Sequence, residues 1–264
     1  RTPLDIAREK AGIVKPGGTL VLGETDPPLQ APFLEHGASR VLERGRDFGV
    51  TTNLVAHGGR LISLFTPEAR YDDVFLALHG AHQADNAALA LAAVEALLDR
   101  PLDTDLVTAV LGAARSPGRL EVVGHAPLLL LDGAHNVAGA HALRDALAQA
   151  FPASARTLVV GLLREKDPPE MLEALGVADA AHLIVCDAPS PRAHDADTVA
   201  DAARHLGLPA DRVEVIRDVA AAVDRALMVT PADGQIVVTG SLYTVGAARA
   251  AHGHPGPSTI PGPG

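Results

Sequence analysis

From residue 120 onward, apolar and polar positions fall into two alternating kinds of block. Short continuous apolar runs predict buried strands at 120–123, 128–131, 158–161, 183–186, 213–216 and 236–239. Between them, apolar residues recur three and four apart. That spacing predicts helices at 137–150, 169–175, 196–206 and 219–228, and a last one after Tyr243. Alternation at this interval predicts an α/β fold, a Rossmann-like domain with a mostly parallel six-stranded sheet and helices on both faces. The first part of the chain is less regular. Thr2-Pro3-Leu4-Asp5 joins an N-cap residue, a proline at the first helical position and an acid in the first turn, and the helix it opens should end near Gly12. Strands are expected at 19–22, 39–42, 52–56, 60–65 and 74–78, with a hairpin about His57-Gly58-Gly59. Helices are expected at 32–36, 86–98 and 105–114. Ser116-Pro117-Gly118 interrupts the pattern. Two domains are therefore expected, 1–116 and 117–251, followed by a flexible Pro- and Gly-rich tail at 252–264.

Composition narrows the class. Of 264 residues, 47% are hydrophobic and 20% charged, enough apolar material for packed cores. A formal charge of −10 argues against a nucleic-acid or anionic-membrane surface, while leaving room for a local phosphate-binding pocket. The single cysteine, Cys186, excludes an intrachain disulfide and fits a reducing cytosol. No stretch reads as a membrane span or a signal peptide. Because the chain opens on an arginine and directly on a helix signal, it is expected to be part of a longer protein.

Candidate chemistry gathers where apolar runs end. Leu128-Leu129-Leu130-Leu131 stops at Asp132-Gly133-Ala134-His135-Asn136. Parallel sheets bind ligands at the carboxyl ends of their strands, so Asp132 and His135 would face such a crevice. Asp132 and Asn136 are equally suited to capping the following helix. A cap alone could be served by Asn136, so Asp132→Ala is expected to leave the thermal midpoint within a few degrees while activity of the full-length protein falls at least about tenfold. Charged or polar loops also end two other runs, at Arg164-Glu165-Lys166-Asp167 and at Gly240-Ser241-Leu242-Tyr243. Arg119 precedes an apolar strand at the domain joint, where it suits bidentate phosphate binding or a surface salt bridge. In His79-Gly80-Ala81-His82-Gln83-Ala84-Asp85-Asn86, Asn86 has the donor and acceptor that an adenine edge needs, or His82 and Asn86 cap the helix. Lys10 is either a solvated helix lysine or a partly buried one with a lowered pKa, able to take up carbon dioxide as a carbamate. There is no Gly-x-Gly-x-x-Gly, no Gly-x-x-x-x-Gly-Lys-Ser/Thr, no zinc spacing and no Gly-x-Ser-x-Gly.

Taken in register, six blocks resemble the folylpolyglutamate synthase/dihydrofolate synthase family, a branch of the Mur ligase superfamily. They are Ile6-Ala7-Arg8-Glu9-Lys10-Ala11-Gly12-Ile13, His82-Gln83 with Asn86-Ala87-Ala88, Pro117-Gly118-Arg119-Leu120-Glu121, Asp132 to Asn136, Lys166-Asp167, and Gly240 to Tyr243. The resemblance runs from about residue 2 to about residue 249. It implies an ATP- and Mg²⁺-dependent ligase of folate and one-carbon metabolism, cytoplasmic and monomeric. Such an enzyme joins L-glutamate to dihydropteroate or reduced folates through an acyl phosphate. It implies Lys10 as the carbamylated lysine that organises magnesium, and His82, Asn86, Arg119 and Asp132 as ATP contacts. His135 and Ser241 would lie near the glutamate site. The family's phosphate loop, magnesium ligands and pterin loops lie upstream of the Lys10 block and are not in these residues. The fold implied is therefore the end of a Mur-type ATPase domain plus the C-terminal domain, without direct metal ligands and inactive alone. A Mur-type peptidoglycan ligase and a noncatalytic nucleotide- or glutamate-binding module are the alternative readings.

Overall fold

A computed structural model describes residues 2–253, so most of the expected tail lies outside the described residues. The chain divides into two units, 1–115 and 116–264.

In the first unit, α1 (Pro3–Ala11) opens on a reciprocal cap. The Thr2 hydroxyl accepts the Asp5 N–H (3.2 Å) and the Asp5 carboxylate accepts the Thr2 N–H (2.9 Å). β1 (Thr19–Leu22) and β2 (Arg40–Glu43) pair in parallel. Between them α2 spans Pro27–Leu34, earlier than the expected 32–36. The reason is that Pro27 and Pro28 occupy the first helical positions, where no N–H is needed, while Pro32 falls inside the helix rather than opening it. β3 (Gly49–Ala56), β4 (Gly59–Phe65) and β5 (Arg70–Leu76) form an antiparallel sheet, with the hairpin turning at Gly58. α3 (His82–Leu98) and α4 (Thr104–Gly112) follow. Ala84, Ala88 and Ala92 of α3 belong to the core that holds Phe48, Ile62, Leu64, Tyr71 and Leu76. Small side chains there let the helix approach the sheet closely.

In the second unit β6 (Glu121–His125) and β7 (Leu128–Leu131) form an antiparallel hairpin. Then come α5 (Val137–Ala150), β8 (Arg156–Val160), α6 (Pro168–Leu175), β9 (His182–Val185), α7 (Ala196–His205), β10 (Val213–Val215), α8 (Val219–Val229), β11 (Gln235–Thr239) and α9 (Leu242–His252). The six strands lie in the order β10-β9-β8-β11-β7-β6, all parallel except β6. Alternate residues of each strand serve opposite faces. Leu130 and Val237 pack with Leu143, Leu147, Leu172 and Val199 of α5, α6 and α7. Leu129, Leu131, Ile236 and Val238 pack with Val223, Ala226 and Val245 of α8 and α9. Burial on both faces is why these strands read as unbroken apolar runs. Burying each such Leu or Val contributes about 1.5–3 kcal/mol.

The connections fix where a ligand can enter. α5, α6 and α7 carry the chain from β7 out to β10 on one face. α8 returns it on the other face, and β11 inserts between β7 and β8. Three adjacent parallel strands, β7, β11 and β8, therefore send their next helices to alternating faces. That arrangement opens a crevice at their carboxyl ends. Gly240, directly after β11, has φ +103°, and a Cβ there would lie 2.7 Å from the Gly161 carbonyl oxygen. Gly240→Ala is expected to cost about 2–4 kcal/mol through backbone strain and overlap. A fall in urea midpoint at unchanged slope checks it, and an unshifted midpoint would contradict it.

Candidate active site

The crevice is built around Asp132, which follows β7 and is buried. One carboxylate oxygen accepts the Leu120 N–H (2.9 Å) and the other the Ala134 N–H (2.8 Å). The Gly133 N–H donates to the Gly118 carbonyl (2.7 Å). The turn before β6 is thus tied to the turn after β7. Gly118 (φ +71°) and Leu120 (φ +46°) both lie in the left-handed region. For Leu120 that costs about 1–2 kcal/mol, which the surrounding bonds must offset. Asp132 is accordingly more than a cap that Asn136 could replace. Asn136 performs a separate task, its side-chain oxygen accepting the Gly139 N–H (2.7 Å) at the start of α5.

Between those two left-handed positions stands Arg119. It is half-buried, and its guanidinium makes no hydrogen bond or ion pair among the described residues. The surface salt bridge weighed for it is not formed. His135, half-buried, has Nδ1 2.8 Å from the Gly133 carbonyl, so Nδ1 carries a hydrogen and Nε2 faces away from that contact.

Ser241 has a second task that the sequence did not show. It is buried and caps α9, accepting the Thr244 N–H (3.1 Å). Thr244 Oγ1 donates to the Gly161 carbonyl (3.1 Å), so the Ser241 hydroxyl hydrogen goes to Thr244 Oγ1 (2.8 Å). Its hydroxyl hydrogen and one acceptor lone pair are engaged inside the fold, because the start of α9 needs a cap. Ser241 fixes the crevice floor instead of presenting a free hydroxyl. The Gly240 N–H donates to Ala134 O (3.1 Å) and the Gly161 N–H to Thr239 O (3.2 Å), lacing the three loops together.

Two features were missed in the sequence. Arg192, in the loop after β9, pairs with Glu165 after β8 (2.5 Å). A hydrogen bond that it donates to the Tyr243 side-chain oxygen and then the Glu165 charge hold its guanidinium above the usual pKa. Ser190-Pro191-Arg192 follows an apolar strand as Asp132 does, and the same rule could have found it. Beyond it, a cavity of about 760 Å³ is lined by Arg164, Asp187, Ser190, His194, Asp195 and Arg217. Cys186 is buried, and burial pushes its thiol up to about 12, so it is no nucleophile at neutral pH.

In the first unit His82 and Asn86 lie on the first turns of α3. The helix begins at His82, not Asn86, and its N-cap, Ala81, has no side-chain cap. The capping reading of both residues therefore fails. They line a cavity of about 370 Å³ with Gly23 and Glu24 after β1, Arg44 after β2, Asp85 and Leu89. Arg44 and Asp85 form an ion pair across it (2.7 Å). A Cβ at Gly23 would lie 2.6 Å from Leu89 Cδ1, so this edge of the cavity requires glycine.

Lys10 stands on the outer side of α1. Its side chain is 69% exposed, with Glu9 3.8 Å away. Ala7 and Ala11, one turn apart, hold the inward stripe of α1, and a residue just before Ala11 points about 100° away from it. Among the described residues no three His, Cys, Asp or Glu side chains are grouped to hold a metal ion. No described helix is long and apolar enough to cross a membrane.

Residues 118–242 match the family model for the Mur ligase glutamate ligase domain, which makes the second unit the C-terminal domain of a Mur-type ligase. The dihydrofolate synthase/folylpolyglutamate synthase of Mycobacterium tuberculosis is 37% identical over 94% of this chain and 56% of its own length. The Bacillus subtilis protein of the same name is 32% identical over 93% of this chain and 57% of its own length. The crystal structure of M. tuberculosis folylpolyglutamate synthase complexed with ADP superposes with a TM-score of 0.89 at 35% identity, covering 97% of this chain and 60% of that one. The Thermotoga maritima enzyme gives 0.76 at 30% identity, covering 94% and 57%. The chain belongs to the folylpolyglutamate synthase/dihydrofolate synthase family of Mur ligases, and it spans just over half the length of these relatives, their C-terminal part.

Proposed function

We propose that the full-length protein is a cytoplasmic, monomeric ligase that uses ATP and magnesium to join L-glutamate to dihydropteroate, to reduced folates, or to both. The observation that carries this reading is Arg119, a half-buried residue whose guanidinium has no partner among the described residues and whose neighbours are tied to the β7 turn, Leu120 N–H to Asp132 and Gly118 O to Gly133 N–H. A planar cation so placed suits a phosphate group. In this reading ATP phosphorylates the pterin carboxylate, and the glutamate amine displaces phosphate from the acyl phosphate. His82 and Asn86 hold the base. Arg119 meets the phosphates as charge builds on them, and Asp132 sets the Arg119 turn and contacts the nucleotide. His135 Nε2 stands ready to accept a hydrogen bond from the incoming glutamate, and Ser241 positions that loop. The described residues contain no ligand cluster for magnesium.

The test is ADP release by the full-length protein offered dihydropteroate and then reduced folates. ADP should form only when both a pterin acid and L-glutamate are present. Binding of ATP without any such release would instead favour the noncatalytic module. Residues 1–264 alone should release none, since no phosphate loop is among them to stabilise the transferring phosphoryl group.

Lys10 is proposed to act as a carbamate in the full-length protein. The neutral amine adds carbon dioxide and loses a proton, turning a cation into an anion. Lys10→Arg should then be as inactive as Lys10→Ala, because a guanidinium does not form this adduct. An active Lys10→Arg variant would eliminate the carbamate.

A further inference from the structure

α3 begins without a cap of its own, because its N-cap residue, Ala81, has no side chain that could accept a hydrogen bond. Support comes from the neighbouring sheet. Asn53 of β3 stands opposite Ile62 of β4, which puts Arg60, two residues earlier on β4, on the same face. That face meets α3, since Ile62 shares its core with Ala84 and Ala88. Arg60 is buried, 4% exposed, and two of its donors go to Asn53, Nε to the side-chain Oδ1 and Nη2 to the backbone carbonyl (3.2 Å). The Asn53 Nδ2 in turn donates to the Ala81 carbonyl (3.0 Å). No carboxylate pairs with Arg60 among the described residues, and burial holds its guanidinium below the usual arginine range. A buried cation without an anion is costly to a fold, so packing alone does not account for an arginine here.

The Asn53 amide has one possible orientation. A guanidinium only donates and a carbonyl only accepts. Oδ1 therefore lies at Arg60 and Nδ2 at Ala81, and turning the amide over would break both bonds. The Ala81 carbonyl belongs to the peptide unit that leads into His82. Just before it, Gly80 has φ +94°, and a Cβ there would lie 2.7 Å from His82 Cε1, so the His82 ring rests against the bare Gly80 backbone. Rotation of the Ala81–His82 peptide would carry that ring with it, and with the ring one wall of the cavity that His82 shares with Asn86. We propose that Asn53, oriented by Arg60, is a positioning residue for nucleotide binding: it holds the start of α3 so that His82 and Asn86 meet the base. This rests on the reading that His82 and Asn86 hold the base.

The experiment is titration of the full-length protein with ATP, beside a thermal melt, for Asn53→Ala and Asn53→Asp. Asn53→Ala should weaken ATP binding roughly three- to tenfold, the scale of one lost hydrogen bond. It should also lower the midpoint, since the Arg60 Nε–H loses its acceptor. Asn53→Asp returns an acceptor to Arg60 but offers no donor to the Ala81 carbonyl. It should therefore recover the midpoint and leave ATP binding weak. A residue that only braced the sheet would recover both together, and that result overturns the inference. The new carboxylate would also repel ATP through space, so the same change is made in the His82→Ala/Asn86→Ala double variant. There it should cost nothing further, and a loss that persists overturns the inference. If Asn53→Asp does not fold, wild-type ATP affinity in Asn53→Ala overturns it equally. The double variant separates the two layers. Unchanged ATP affinity in it would remove the base contact itself. Weakened binding in it, with wild-type affinity in Asn53→Ala, would remove only the role of Asn53 and Arg60.

Discussion

Arg119→Lys should lower kcat/KM for ATP in the full-length protein by at least about thirtyfold, the scale of removing one transition-state hydrogen-bond donor at about 2–4 kcal/mol. The positive charge survives this change, so the loss would report geometry. Arginine presents a rigid planar fork that engages two phosphate oxygens together; an ammonium is a single point charge on a flexible stem. The turn that carries Arg119 is built to hold the fork still. Its flanking residues are both in the left-handed region, at φ +71° and +46°, and both are tied to the β7 turn. No protein group competes for the guanidinium among the described residues. A side chain with no structural partner can be altered without unfolding the domain, so the thermal midpoint should hold. A kcat/KM within about threefold of wild type, roughly 0.7 kcal/mol, would end the assignment.

Asp132→Ala should produce the largest stability loss among the site variants. Two backbone N–H groups, of Leu120 and Ala134, lose their acceptors in a buried place. Each buried unsatisfied donor costs about 1–3 kcal/mol. A combined loss of about 2–5 kcal/mol corresponds to a fall of roughly 5–15 °C in midpoint for a domain of this size. The left-handed Leu120 would also lose the bond that holds it. Asn136→Ala provides the comparison, because it removes an ordinary helix cap worth about 1 kcal/mol. Asp132→Asn should fall between the two, since its amide oxygen replaces one acceptor and its NH₂ opposes the other donor. Equal midpoints for Asp132→Ala and Asn136→Ala would show that Asp132 only caps.

The sheet of the second unit was legible because its strands are buried on both faces. Leu128 to Leu131 or Gln235 to Thr239 can hardly be read otherwise. Helices with an explicit cap, at Thr2 and Asn136, began where the sequence placed them. α3 did not, because Ala81 gives no cap signal and polar His82, Gln83 and Asp85 conceal its first turn. The positions of Asp132 and Arg119 followed from strand ends, but their partners did not. That Asp132 holds Leu120 depends on two turns meeting in space. Ser241 looked like a ligand hydroxyl because a cap and a binding residue share the same side chain. The exposure of Lys10 follows from the inward stripe of α1, which Ala7 and Ala11 hold and Lys10 does not share. Arg44 and Asp85 meet from distant segments, and nothing local marks them.

The proposed function of the full-length protein is ligation through an acyl phosphate. The direct measurement uses the pterin acid labelled with ¹⁸O in its carboxylate, ATP and L-glutamate, with the full-length protein. Attack of the carboxylate on ATP forms a bridging C–O–P link, and displacement by the glutamate amine leaves that oxygen on phosphate. One labelled oxygen should therefore appear in each phosphate released. Amide product accompanied by unlabelled phosphate would contradict the account.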